Sequence, residues 1–189
     1  MKKLYYLIAM VLSLGLFGFT SSAQADVSTT VHNIGGNVCA SCHVPHNSTS
    51  TLAPLWARAD STVTTYTMYS SDTLDGAIGT APGDVSKACL SCHDGTVAYT
   101  GTTFMSGTKK IGDATSPDGT ANNIANNHPI NVTYGTDTAL VALASMSLPL
   151  YGVDKVECAT CHNPHDNTNL KFLRVSNVGS ALCTTCHVK

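Results

Sequence analysis

The sequence predicts a mostly irregular fold with short α-helices and little strand, organised as two pseudo-repeated modules. Three observations predict it. Thr, Ser, Asn and Gly fill most of the polar positions while only 12% of the residues are charged. Helix signals are confined to a few short segments. One pattern of cysteines and histidines recurs in both halves of the chain.

Three short segments carry helix signals. Asp84 can cap a helix that carries Cys89 to His93, and Ser180 can cap a similar one for Cys183 to His187. The best independent helix is predicted at Ala139 to Ala144, which could fill a contact between subunits.

Two further segments remain open from sequence alone. Thr62 to Tyr69 is rich in β-branched and aromatic residues, which favours a strand or, equally, an extended loop that covers a bound cofactor. Thr100 to Asn127 is rich in Gly, Thr, Asn and Ser, and is either a surface loop or the joint between the halves.

The first residues predict a secretory signal peptide at 1–25. Met1 to Lys3 supplies the basic start, Leu4 to Phe19 the apolar stretch and Ala23 to Ala25 an Ala-x-Ala cleavage site. A retained transmembrane anchor is the alternative, but the apolar run is short for a span. We expect an exported mature chain, 26–189, with no further segment that could cross a membrane.

The charge balance excludes some partners. Cleavage would leave eight basic against twelve acidic side chains, a net charge of −4. This argues against nucleic acid or an anionic membrane surface as a partner. So weakly charged a surface favours packing against copies of the same chain, although ordinary variation in a loop-rich exported protein explains it equally well.

All eight cysteines fall into four Cys-x-x-Cys-His motifs, with none left over. The pairs are Cys39 and Cys42, Cys89 and Cys92, Cys158 and Cys161, and Cys183 and Cys186. Two cysteines three residues apart lie on one helical turn, so both can form thioethers with the two vinyl groups along one porphyrin edge. The histidine that follows then projects its imidazole onto the iron.

Zinc knuckles and a disulfide framework are the competing interpretations of paired cysteines in an exported chain. Neither needs the histidine that follows every pair. The motifs therefore predict four covalently attached haem c groups, with proximal ligands His43, His93, His162 and His187.

Four histidines remain: His32, His46, His128 and His165. A haem iron has two axial positions, so four haems and four spare histidines fit a set in which every iron has two histidine ligands. Taken singly, a spare histidine could also be an ordinary surface residue.

Two of the spare histidines occupy the same place in a repeat. Residues 39–46 and 158–165 share the pattern Cys-x-x-Cys-His-x-Pro-His. A histidine three residues after the proximal ligand cannot reach the far face of the same iron, so it must serve another haem, and the proline stiffens the bridge. Symmetry predicts that His46 ligates the haem of His93 and His165 that of His187.

His32 and His128 would then serve the haems of His43 and His162, in an order that the sequence leaves open. The resulting organisation is one tetrahaem domain, 26–189, with approximate dihaem halves at 26–100 and 126–189. Because about 41 residues would surround each haem, the core of this small multihaem protein would consist mostly of stacked porphyrins.

These motifs resemble the doubled Cys-x-x-Cys-His multihaem cytochromes, and most closely the tetrahaem extracellular cytochromes of the OmcE type. The resemblance covers roughly Val31 to Asn47, Val85 to Gly95, and His128 to the C-terminus. It implies polymerisation into filaments with a continuous haem chain. It also implies that one distal histidine, His32 or else His128, is donated to a neighbouring subunit.

The residues favour electron transfer over chemistry on a substrate, because eight histidines would close all eight axial sites. Expected partners are copies of the chain, other redox proteins or an extracellular electron acceptor. A filament subunit and a monomeric periplasmic shuttle both remain open. A haem enzyme would need one iron with a vacant position.

Overall fold

The computed structural model describes residues 27–48, 50–94, 98–99, 102–103, 111 and 122–188. The predicted signal peptide and most of the segment between Thr100 and Asn127 lie outside these residues. The described residues form three α-helices: α1 (Asp84–His93), α2 (Cys158–Cys161) and α3 (Ala181–Thr184). The expectation of a mostly irregular fold with short helices and little strand is confirmed.

Strand is limited to two small antiparallel ladders in the described residues. β1 (Ala98–Tyr99) pairs with β2 (Thr102–Thr103), and β3 (Val132–Thr133) pairs with β4 (Lys155–Val156) in the register Val132 with Val156. Short 3-10 turns occupy Val27–Thr29, Ile34–Gly36, Leu143–Ser145, Leu170–Phe172 and Val178–Ser180.

Helix α1 forms as predicted but is not capped by Asp84. The cap position is Gly83, and Asp84 is the first helical residue, where it pairs with Lys87 at 3.5 Å. An acidic residue there favours the helix through the helix dipole. Position 83 is restricted by packing, because a Cβ atom there would collide with the Glu157 carboxylate. Ser180 does precede α3, but without a side-chain cap bond.

The predicted helix at Ala139 to Ala144 is wrong. Leu140 instead forms an isolated antiparallel bridge with His187, and only Leu143–Ser145 forms a 3-10 turn. The Ala139 carbonyl accepts the N–H of Val188 at 2.8 Å, whereas in an α-helix it would accept the N–H of Leu143. Pairing with the C-terminal segment therefore overrides the local helix propensity.

Thr62 to Tyr69 is an extended loop with one isolated bridge, from Thr67 to Asn123. Its Tyr66 side chain is buried against Leu90 and Ile124 in the first of two small apolar clusters. The second cluster surrounds Val132, Tyr134 and Val156. Most of the residues that the structure describes therefore lie outside these two small apolar clusters.

Candidate functional site

Each Cys-x-x-Cys-His motif folds into a single helical turn. The histidine N–H donates to the carbonyl of the first cysteine: 2.8 Å for His43, 3.0 Å for His162 and 2.9 Å for His187. The second motif, Cys89 to His93, lies at the end of α1. One turn brings both cysteines and the histidine to the same side of the backbone. All eight cysteines, each of which the structure describes, are free thiols.

An extended segment frames three of these turns in the same way. The residue after the histidine donates its N–H to a carbonyl of the extended segment. Two residues after that carbonyl, the segment donates an N–H to the carbonyl of the motif's second cysteine. All six bonds measure 2.8 Å: Val44 to Leu55 and Ala57 to Cys42; Asn163 to Phe172 and Arg174 to Cys161; Val188 to Ala139 and Val141 to Cys186. The same frame therefore recurs at the first, third and fourth motifs.

Hydrogen bonds at Nδ1 orient two of the proximal rings. His43 Nδ1 lies 2.8 Å from the carbonyl oxygen of Pro54, and His162 Nδ1 lies 2.9 Å from that of Lys171. A carbonyl can only accept, so Nδ1 carries the proton and the unprotonated Nε2 is free to bind a metal. The fold thus selects the tautomer that an iron ligand needs.

Three pairs of histidine rings face each other at nearly one distance. The ring centres are 6.1 Å apart for His32 and His93, 6.1 Å for His43 and His165, and 6.4 Å for His128 and His187. A ring nitrogen binds a transition metal at about 2.0 Å, and the ring centre lies about 1.1 Å beyond, so two rings on one iron have centres about 6.2 Å apart. The three pairs fit axial ligation of haem iron.

His32 is held in the form that such ligation requires. Burial lowers the pKa of its ring, and the charge of His93 lowers it further. Phe172 packs against the ring with 4.6 Å between centres. The resulting neutral imidazole is the form that binds a metal.

These pairs differ from the symmetric pairing predicted from the repeat. His32, not His46, faces His93, while His165 faces His43 and His128 faces His187. Only the pairing of His165 with His43 crosses between the halves, which pack against each other through α1 of the first half and α2 of the second. The prediction that His46 and His165 do not serve their own motif's haem agrees with the ring found opposite His165.

Within the described residues, no ring faces His46 and none faces His162. Both side chains are exposed. His162 is nevertheless framed and oriented like His43. The chain thus contains one proximal and one spare histidine that its own fold does not bring together.

Consecutive motifs approach each other through their cysteines. Burial raises the pKa of the Cys42 thiol, and the neighbouring Cys92 raises it further; burial and then Cys186 do the same at Cys161. Between the halves, a hydrogen bond joins the Cys89 and Cys158 thiols and raises the pKa of Cys89. The attachment points therefore follow one another in space as they do in sequence.

A buried carboxyl group joins the halves beside this central contact. Glu157 is 3% exposed and accepts a hydrogen bond from the fully buried Ser86 hydroxyl. Ser86 in turn accepts the Cys158 N–H at 3.0 Å, and Thr160 Oγ1 accepts the Glu157 N–H at 2.9 Å. Burial raises the pKa of Glu157, while hydrogen bonds from Ser86 and Gly83 oppose that rise.

Sequence reasoning missed the Ser86 and Glu157 contact. The only sequence signal was local: Glu157 precedes a cysteine turn and has Thr160 three residues later, a spacing at which side chains satisfy free N–H groups at a helix start. Nothing in that spacing identifies Ser86, which lies 71 residues away.

The comparison with protein families gives one match, the doubled CXXCH motif, over residues 152–189. No curated protein matches the chain. The match and the four motifs point to a multihaem c-type cytochrome with covalently bound haem c.

Two further features are absent from the described residues. No group of three or more His, Cys, Asp or Glu side chains there could hold a metal ion. No helix in that part of the chain has the length and apolar character needed to cross a membrane.

Proposed function

We propose that the chain is an exported electron-transfer protein that carries four haem c groups, each iron held by two histidines, and that it is the subunit of an extracellular conductive filament. The single observation that carries the ligand assignment is the recurring distance of 6.1 to 6.4 Å between facing histidine rings. Haem iron alternates between ferric and ferrous and so takes up and releases one electron.

The residues around each motif would hold the group and keep its ligands fixed. The cysteines would attach it, the histidine of the motif would supply one ligand, and at three of the four motifs the facing ring would supply the other. Two neutral imidazoles favour a low potential, since imidazole is a stronger donor than methionine. The cysteine contacts from motif to motif support a conduit in which each haem neighbours the next.

His46 and His162 support the polymeric form of this proposal. We propose that His46 of one subunit completes the iron of His162 in the next, rather than His32 or His128 being the shared ligand. His32 and His128 already face rings within their own chain, whereas no ring of the described residues faces His46 or His162. A donor and an acceptor on one chain form a head-to-tail contact that can repeat without end.

The predicted signal peptide at residues 1–25 supports export. The small proportion of charged residues supports self-association. In a filament the terminal partners would be other redox proteins or an extracellular acceptor. A monomeric periplasmic shuttle shares the motifs and differs in one respect: some group other than His46 of a second copy must then occupy the iron of His162.

We expect the purified protein to carry four haems, all six-coordinate and low-spin. Mass spectrometry of the holoprotein gives the haem count, and electron paramagnetic resonance gives the spin state. The reason is that eight histidines supply two ligands for each of four irons. Three attached haems, or none, would contradict the proposal.

One observation favours a second candidate, a haem oxidoreductase: no described ring faces His162. Its iron could then take a substrate. Carbon monoxide titration of the reduced protein separates the candidates when assembled and dissociated material are compared. We expect no binding by polymers and one equivalent per dissociated subunit, whereas one equivalent per subunit in intact polymers would favour the enzyme.

A further inference from the structure

The chain has only two arginines, Arg58 and Arg174, and each lies against a Cys-x-x-Cys turn. The Nε–H of Arg58 donates to the carbonyl of Ser41 at 2.9 Å, and that of Arg174 to the carbonyl of Ala159 at 2.8 Å. Both side chains are half-buried. One arginine in each half is therefore fixed beside a haem attachment site.

The charge of Arg58 reaches two attachment sites at once. Burial raises the pKa of the Cys92 thiol, whereas the Arg58 guanidinium lowers it and outweighs the opposing Asp94 carboxylate. At Cys42, burial and Cys92 raise the thiol pKa and Arg58 again opposes them. The bond to Ser41 thus fixes Arg58 against the first motif, and its charge also acts on the second.

Arg174 holds the matching place in the second half, one backbone position out of register with Arg58. Its own N–H donates to the carbonyl of Cys161 at 2.8 Å, and its Nη2 lies 3.4 Å from the Tyr151 hydroxyl. Burial is the main cause that raises the pKa of Cys161, and Arg174 lowers it. The exposed Asp166 carboxylate is also within the field of Arg174, which lowers its pKa after the hydrogen bonds from Thr168.

We propose that Arg58 and Arg174 raise the reduction potentials of the haems attached beside them. The inference rests on the proposed haem binding. When a haem takes up one electron, no bond forms or breaks and its net charge falls by one. A fixed cation nearby therefore favours the reduced form. Arginine is suited to this role because it keeps its charge throughout the range of pH in which proteins function.

Spectroelectrochemical titration of the holoprotein tests the proposal with three variants of the full chain. Arg58→Gln removes the charge, and Arg58→Lys keeps the charge but loses the planar fork that fixes Nε. Lys87→Gln is the matched control, because it removes one positive charge from a solvent-exposed ion pair with Asp84. The electrode supplies or withdraws every electron counted.

For Arg58→Gln we expect the ratio of oxidised to reduced haem, at a given electrode potential, to rise at least tenfold in one part of the titration. For a one-electron couple this corresponds to a reduction potential about 59 mV lower. Arg58→Lys should keep most of the wild-type potential. Lys87→Gln should shift the curve much less, because solvent and salt screen an exposed charge.

Three results would overturn the proposal: a curve for Arg58→Gln that superimposes on wild type, an equal shift in Arg58→Lys, or an equal shift in Lys87→Gln. If Arg58→Gln does not assemble, Arg174→Gln tests the same rule in the other half, with the same expected shift. Mass spectrometry of each variant keeps the two proposals separate, since four attached haems with unchanged potentials would refute only the role of the arginines.

Discussion

His46→Ala should abolish polymers while leaving four haems attached to each subunit. The substitution removes the exposed ring that we propose binds the iron of His162 in the neighbouring copy, and leaves all eight cysteines in place. Loss of one metal bond at every interface removes several kcal/mol, and each 1.4 kcal/mol weakens association about tenfold. Negative-stain microscopy and sedimentation measure the polymers, and mass spectrometry counts the haems.

His165→Ala is the matched control because it removes the equivalent histidine of the second repeat. His165 faces His43 within its own chain at 6.1 Å, so its loss should expose one iron to carbon monoxide without dissolving polymers. His32→Ala is a second comparison, as His32 is the shared ligand that sequence alone favours. Filaments that survive His46→Ala but not His32→Ala would assign the shared ligand to His32 instead.

Glu157→Ala should produce the largest loss of stability among substitutions outside the haem ligands. It leaves the buried Ser86 hydroxyl and the Gly83 N–H without their acceptor. A buried polar group without a partner costs about 1–3 kcal/mol. We expect the unfolding midpoint of the holoprotein to fall by roughly 5–10 °C, as measured by circular dichroism on heating.

Glu157→Gln provides the control, because the amide keeps an acceptor oxygen but cannot ionise. Burial raises the pKa of Glu157, so the folded state favours the protonated form. The stability that this carboxyl contributes is fully present below its unfolded pKa and is lost as pH rises through its folded pKa. The wild-type midpoint should therefore fall relative to that of Glu157→Gln as pH rises through this range. If the unfolding midpoints of wild type and Glu157→Gln instead change in parallel with pH, Glu157 is not the carboxyl with the raised pKa.

The sequence predicts the chemistry of the site better than its connections. Each Cys-x-x-Cys-His turn is local, and the carbonyl of Cys39 reaches the N–H of His43 within one helical turn. The facing rings are not local: His32 meets His93 across the first half of the chain, and His165 meets His43 only after the two halves have packed. Symmetry between the repeats predicted contacts within each half and thus paired His46 with the haem of His93.

Local propensity failed for a related reason at Ala139 to Ala144. That segment is composed of good helix formers and a valine, but its Ala139 carbonyl and Val141 N–H are bonded to Val188 and Cys186 in the C-terminal segment. A single sequence gives no measure of this competition. The fold class was easier to predict, because scarcity of regular structure follows from composition and from the short spacing of the motifs.

The extended frames around the proximal histidines differ greatly in the length of chain that they close. The first and third frames are closed within 11 and 9 residues, as measured from His43 to Pro54 and from His162 to Lys171. These frames are numbered by the motif that they surround, and the fourth frame joins Leu140 to His187. Because each doubling of loop length costs only about 0.6 kcal/mol of chain entropy, closing the fourth frame is about 1.2 kcal/mol more costly than closing the first. Fraying of the holoprotein should therefore begin at the C-terminal motif, where the backbone amide protons would exchange with solvent ahead of those around His43 and His162.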